Sequence, residues 1–186
     1  MTEREMAGKG NRNPAKLNIG CGPVIFDGWI NIDIDHVDAD VNADVTKGLE
    51  FEDNSVSFVF AEHFIEHLPR VEAVKFLKEC RRVMRPGGVI RLSTPDLDEL
   101  VDAYIARDAG RWGQLWQPIN AAHMLNEAFY SWGHQFLYNR EEMTALLKEA
   151  GLPNIRWCNH RQSIFKELSG LEARPFHNEI IVEAFQ

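Results

Sequence analysis

Leu17-Asn18-Ile19-Gly20-Cys21-Gly22-Pro23, followed a few residues on by Trp29-Ile30-Asn31-Ile32-Asp33, decides the fold. Lys16 to Ile19 read as a short strand, and the two glycines predict a tight turn directly behind it. The second run alternates apolar and polar residues and ends on an acid, as a second strand would. Open α/β sheets bind ligands beyond the carboxyl ends of their strands, at the switch point after the first one. The Gly20-Cys21-Gly22 turn occupies that place. Glycine there lets a ligand approach the backbone without meeting a Cβ. Asp33 stands twelve residues past Cys21, in position to accept hydrogen bonds from a ribose.

The same punctuation recurs along the chain. Residues 40–44 predict a weak third strand, and Val56-Ser57-Phe58-Val59-Phe60 a fourth behind the turn residues Glu52 to Ser55. Val71, Val74, Leu77, Cys80 and Met84 recur at helical spacing up to Pro86-Gly87-Gly88, a helix exit and turn. Val89 to Ser93 predict a fifth strand and residues 97–106 a helix; residues 107–133 carry no clear period. Asn139, with Glu142 three residues on, caps another helix that Gly151 and Pro153 close. Residues 155–158 and 179–185 predict two final strands. Strands alternating with helices give an α/β chain with a Rossmann-like, mostly parallel sheet of seven strands and helices on both faces.

Composition narrows the class. The 186 residues, 45% apolar and 26% charged, suit one globular domain and exclude wholesale disorder. Residues 1–14 read as a flexible N-terminal tail and 15–186 as a single domain. Three widely spaced cysteines without a CxxC pair indicate neither a disulfide framework nor a zinc ribbon. The sequence holds no apolar run of ~18 residues and no apolar stretch behind its charged N-terminus, which predicts a cytoplasmic protein without membrane span or signal peptide. The net charge of −8 is concentrated, since eight carboxylates stand against Lys47 alone across residues 31–60, a local −7. Such a surface repels phosphate backbones and argues against nucleic-acid partners. Asp33-Ile34-Asp35 opens like a calcium loop, but Asp38 stands where that loop needs glycine, and its twelfth position lacks the bidentate Glu. No metal site is expected. A nicotinamide dinucleotide is the rival ligand for the glycine turn. Its fingerprint needs a third glycine, where this chain has Ile25, and too few residues precede Trp29 for a crossover helix.

Seven segments in order carry a resemblance: Leu17 to Gly22, Asn31 to Asp35, Asn42 to Val45, Phe51 to Ser55, Glu62 to Leu68, Arg81 to Gly88 and Ser93 to Asp96. The sequence resembles the class I S-adenosylmethionine-dependent methyltransferases, over roughly residues 15–185. It looks most like a small bacterial branch associated with polysaccharide biosynthesis; Gly133 to Tyr138 and Lys148 to Leu152 look like that branch too. The resemblance implies a sheet with an antiparallel C-terminal strand and S-adenosyl-L-methionine as cofactor. It also implies a small-molecule methyl acceptor, a sugar or glycan precursor.

On the same resemblance, the backbone of Gly20, Cys21 and Gly22 would meet the methionine moiety and Asp33 the ribose hydroxyls. Asp44 and the Val45 amide would read the adenine edge, while Glu62 and His63 would pass close to the methionine end. The chain differs from the pattern at Asn18, Val24 and Ser57. Those differences motivate the alternative of a non-catalytic cofactor- or partner-binding module. Methyl transfer asks for alignment and, with some acceptors, a base. His63, directly behind the fourth strand, and His134 are the candidate catalytic residues. His67 reads as a buried histidine satisfied by backbone. Residues 107–138, with Trp112, Trp116, Trp132, His123 and Glu127, are expected to form an aromatic lid or acceptor insertion over the carboxyl end of the sheet.

Overall fold

In the computed structural model, residues 14–174 and 178–186 are described. All of the expected tail except Pro14, and His177, lie outside the described residues.

Seven strands form one sheet: β1 (Ala15–Ile19), β2 (Ile30–Asp33), β3 (Val41–Asn42), β4 (Val56–Glu62), β5 (Met84–Thr94), β6 (Asn154–Trp157) and β7 (Ile180–Phe185). Their spatial order is β3-β2-β1-β4-β5-β7-β6. The first five run parallel, and β7 is antiparallel to both β5 and β6. This is the mostly parallel α/β sheet the sequence predicts. Successive strands are added to one side of β1 up to β3 and to its other side from β4 on, and the glycine turn leaves β1 at that switch point.

Four α-helices pack around the sheet: α1 (Arg70–Val83), α2 (Leu97–Ile105), α3 (Ala121–Tyr130) and α4 (Arg140–Glu149). Of the stripe expected from spacing, Val71 is exposed, Met84 belongs to β5, and Val74, Leu77 and Cys80 are buried in α1. In all, α1 buries Ala73, Val74, Phe76, Leu77, Cys80 and Val83. With Met143, Leu146 and Leu147 of α4, these residues cover the apolar strands and form the main core. The side chains of Asp96, Asn120 and Asn139 cap α2, α3 and α4, each accepting from an amide of the first turn. No described helix is long and apolar enough to cross a membrane.

Two features differ from the sequence reading. Met84 to Gly88, expected as helix exit and turn, already belong to β5. Met84 pairs with Val56 and Val89 with Phe58, so the Pro-Gly-Gly turn is absorbed as an irregularity between two registers. Helix α3 was not predicted. Its buried residues are Ala121, Met124 and Ala128, and two alanines make a faint apolar stripe. Helices α2 and α3 share a second, smaller core with Trp112 and Leu137.

Candidate functional site

The turn behind β1 is built for close approach. Gly20 and Gly22 have φ of 62° and 49°, a region L side chains rarely adopt. A Cβ on Gly20 would stand 2.6 Å from the Phe64 ring, whereas one on Gly22 would meet nothing within 4 Å. The chain therefore needs Gly20 for packing, and at Gly22 its backbone faces open space. Asp33 holds the turn in place, its Oδ2 accepting from the Gly22 N–H at 2.9 Å. Burial works against ionisation of Asp33, but the amides of Gly22, Asp35, Ile34 and His36 outweigh it and keep the carboxyl below its ordinary range. Burial, with Asp33 adding, pushes the Cys21 thiol up to about 11, so Cys21 offers backbone and no thiolate.

Asn18 has a local reason. Its Nδ2 donates to the Val24 carbonyl at 2.8 Å and to Asn31 Oδ1 at 3.0 Å. Asn31 Oδ1 also accepts from the Phe26 amide, while Asn31 Nδ2 donates to Asp40. A carboxylate at position 18 would face two acceptors, so an amide suits this network.

Asp44 lies close to Asp33 across the edge strands, since Asn42 pairs with Asp33 and the Ala43 N–H donates to the Asp33 carbonyl at 2.9 Å. Asp44 Oδ1 accepts from the Thr46 hydroxyl at 2.6 Å and from its amide at 3.1 Å, capping the 3-10 turn Val45–Lys47. Thr46, then Lys47, hold the Asp44 carboxyl below its ordinary range. The sequence reading missed this cap, although Asp-x-Thr is an Asx-turn signal. Val45 is buried in the main core.

The residues after β4 carry most of the charge chemistry. Glu62 is buried, and its two oxygens accept from the amides of Ala173 and Arg174 at 3.1 and 3.0 Å. His63 has a positive φ of 49°, which turns its ring between two buried acids. Nε2 lies 2.6 Å from Glu179 Oε2, and Nδ1 lies 3.2 Å from Glu66 Oε1. Burial alone would lower the pKa of His63, but the contacts with Glu179 and Glu66 prevail and push it up to about 9. An imidazolium clamped by two carboxylates has no lone pair to offer near neutrality, which bears against His63 as a proton acceptor. Glu66 stands three residues on from His63, whereas Glu179 is the partner that sequence distance concealed.

His134 keeps the chemistry a base needs. Its Nδ1 is 2.7 Å from the Ala128 carbonyl, which can only accept. The neutral ring therefore carries its proton on Nδ1 and presents a lone pair on Nε2. The His67 ring lies 5.1 Å away, centre to centre. Burial, with His134 adding, keeps His67 below its ordinary pKa although Glu66 pulls the other way.

Two cavities open in this region. A smaller one of about 270 Å³ is lined by Asn18, Gly20, Cys21, Phe60, Glu62 and Arg174, among others. A larger one of about 570 Å³ has Trp112, Trp116 and Trp132 in its walls, with Asp96, His63, His67, His134 and Arg174 as its polar groups. Arg174 borders both. Burial, then repulsion from Asp98 and Glu99, raises the Asp96 carboxyl above its ordinary range. The sequence reading placed Asp96 in the exit of the fifth strand, towards the cofactor's methyl group, without giving it a role of its own, and missed Arg174, which the chain brings back from far downstream.

A family model described as "Methyltransferase domain" matches residues 29–92. No curated protein matches the chain. Among solved structures, a SAM-dependent methyltransferase from Archaeoglobus fulgidus superposes with a TM-score of 0.58 at 15% identity, over 93% of this chain and 86% of that one. A possible histamine N-methyltransferase from Thermotoga maritima gives 0.57 at 16% identity, over 93% and 82%. A protein from Pyrococcus horikoshii gives 0.55 at 15% identity, over 98% and 86%. The chain thus has the fold of SAM-dependent methyltransferases, and its segment from the second strand into the fifth matches their methyltransferase domain.

Proposed function

We propose that the protein binds S-adenosylmethionine across the glycine turn and transfers its methyl group to a small molecule held in the tryptophan-walled cavity. The observation that carries this reading is the meeting of the two cavities at Arg174. A cofactor lying along the smaller cavity would end beside an acceptor in the larger one. The open side of Gly22 and the smaller cavity above Gly20 and Cys21 suit a ligand that lies on backbone. Asp33 would hold the ribose hydroxyls, Asp44 and the Val45 amide the adenine edge, and the Gly20 to Gly22 backbone the methionine end. Glu62 and His63 contribute there as scaffolding, through the Arg174 amide and the carboxylate clamp.

The cofactor's sulfonium supplies an electrophilic methyl group, so this chain's residues have to align the acceptor and take its proton. His134 Nε2 faces that task, and residues 107–138 form the cover that keeps water out. Tryptophan faces with Arg174, Asp96 and His67 among them suit a sugar or glycan precursor, whose C–H faces stack while its hydroxyls find partners.

Paired variants separate the two halves. Asp33→Ala is expected to weaken S-adenosylhomocysteine binding by about 1.5–3 kcal/mol, the worth of hydrogen bonds to a charged acceptor. His134→Ala is expected to leave that affinity within about twofold while turnover of label from methyl-tritiated S-adenosylmethionine falls roughly 100-fold or more. Unchanged affinity in Asp33→Ala removes that residue from the site. Tight binding without label transfer to any acceptor favours a binding module.

A further inference from the structure

We infer that Glu66, His67 and His134 form a binding site for one first-row divalent metal ion of the zinc type, on the wall of the tryptophan-lined cavity. Among the described residues these three offer ligand atoms that all lie within 4.8 Å of one another. The sequence reading expected no metal, on the cysteine spacing and the failed calcium loop; Glu66 and His67 are neighbours, but His134 comes from beyond α3.

Three further observations make this a built site. The backbone pins the cluster, since the amides of Gln135 and Phe136 both donate to the Glu66 carbonyl, at 2.7 and 3.2 Å. That bond pair fastens the segment carrying His134 onto the 3-10 turn Ile65–His67. The outer contacts are those that orient metal ligands. His134 Nδ1 is anchored on the Ala128 carbonyl, a backbone hydrogen bond with Gly133 acts on His67, and Glu66 Oε2 accepts from the Thr94 hydroxyl at 3.0 Å. Finally, Glu66 is fully buried, with its Oε1 3.2 Å from His63 Nδ1.

Two neutral imidazoles and a carboxylate select Zn²⁺, Co²⁺ or Ni²⁺ over Mg²⁺ and Ca²⁺, which prefer all-oxygen shells. Tetrahedral ligands about 2.0–2.1 Å from zinc stand roughly 3.4 Å apart, so the most distant pair closes by up to about 1.4 Å. Small ring rotations suffice for that. Glu66 and Glu179 set two buried negative charges against the His63 ring and the incoming cation. The remaining positions on the ion point into the cavity, since His67 and His134 line it. On the methyl-transfer reading, an oxygen of the acceptor would take one of them. His134 Nε2 would then be a ligand, and the ion, by lowering the proton affinity of that oxygen, would do the work otherwise left to the Nε2 lone pair.

The test uses the full chain without an affinity tag, stripped with chelator and free of cofactor, so that its outcome stands apart from any methyl-transfer assay. Co²⁺ is titrated and followed by its visible d–d absorption, then displaced with Zn²⁺. The expected result is one Co²⁺ per chain in an ordered nitrogen–oxygen shell, displaced by Zn²⁺ and untouched by excess Mg²⁺. His67→Ala and His134→Ala should each weaken binding by about 100-fold or more, a larger loss than removal of an outer-shell contact brings. His123→Ala, on the exposed face of α3, should bind as the parent does. Thermal melts establish that each variant is folded, and either histidine variant alone suffices as the readout. Absence of saturable binding overturns the inference. So does binding that survives in both cavity-histidine variants or falls equally in His123→Ala.

Discussion

Replacing His63 with asparagine should cost the folded protein about 3–5 kcal/mol, the usual penalty for stranding buried charge. Glu66 and Glu179 have fully buried side chains on either side of the His63 ring, and without the imidazolium they repel one another. Asparagine tolerates the left-handed backbone at this position, so the loss reports the missing cation rather than strain. The pH dependence provides a second readout. The folded pKa of His63 is raised from 6.5 to about 9. Its contribution is therefore fully present below pH ~6.5 and is lost as pH rises through about 9. That linkage is worth about 3 kcal/mol. Urea unfolding of the chelated protein between pH 7 and 9.5 should show stability falling in the parent and nearly flat in His63→Asn. A parent curve that is flat over this window contradicts the clamp.

Arg91→Met should be equally damaging. Arg91 lies opposite Glu183 in the β5–β7 ladder with no side-chain exposure, and its guanidinium reaches Glu172 through Nε and Glu183 through Nη1 at 2.8 Å. Nη1 also donates to the Gln162 carbonyl at 3.1 Å. Methionine would leave two buried carboxylates with only the looser contact of Glu183 to Arg156 at 3.8 Å, at a cost of about 3–5 kcal/mol. Because the uncompensated charge is the cause, adding Glu172→Gln and Glu183→Gln to Arg91→Met should recover much of the loss. A triple variant as unstable as the single one would instead assign the loss to packing. The network has a functional consequence as well. Glu172 is followed by Ala173 and Arg174, whose amides sit on Glu62, so Arg91 fastens the segment that separates the two cavities.

What the sequence made legible was local. The glycine turn, the acid ending β2 and the Asn139 cap each depend on residues within a turn or a strand of one another. Periodicity likewise gave α1, through Val74, Leu77 and Cys80 of its buried face. Helix α3 escaped because alanines fill two of its three buried positions, and Asn120 caps it without the acidic partner three residues on that strengthens such a signal. The site escaped where its logic is long-range. Nothing near His63 announces that Glu179 closes on it, and that pairing turns a candidate base into a fixed cation. Asn18, read as a departure from an acidic pattern, becomes intelligible only beside the Val24 carbonyl and Asn31. The grouping of Glu66, His67 and His134 likewise exists only once the segment behind α3 is fastened to the turn behind β4.

The central claim is that the turn behind β1, with Asp33 and Asp44 at the neighbouring strand ends, is an adenosyl site of the methyltransferase kind. Isothermal calorimetry of the full chain with S-adenosylhomocysteine, and with NAD at the same concentrations, tests it most directly. The expected result is saturable one-to-one binding of S-adenosylhomocysteine and no measurable heat with NAD, which the Ile25 position and the helix-free β1–β2 connection disfavour. Equal binding of both ligands, or no binding of S-adenosylhomocysteine by a folded chain, would contradict it.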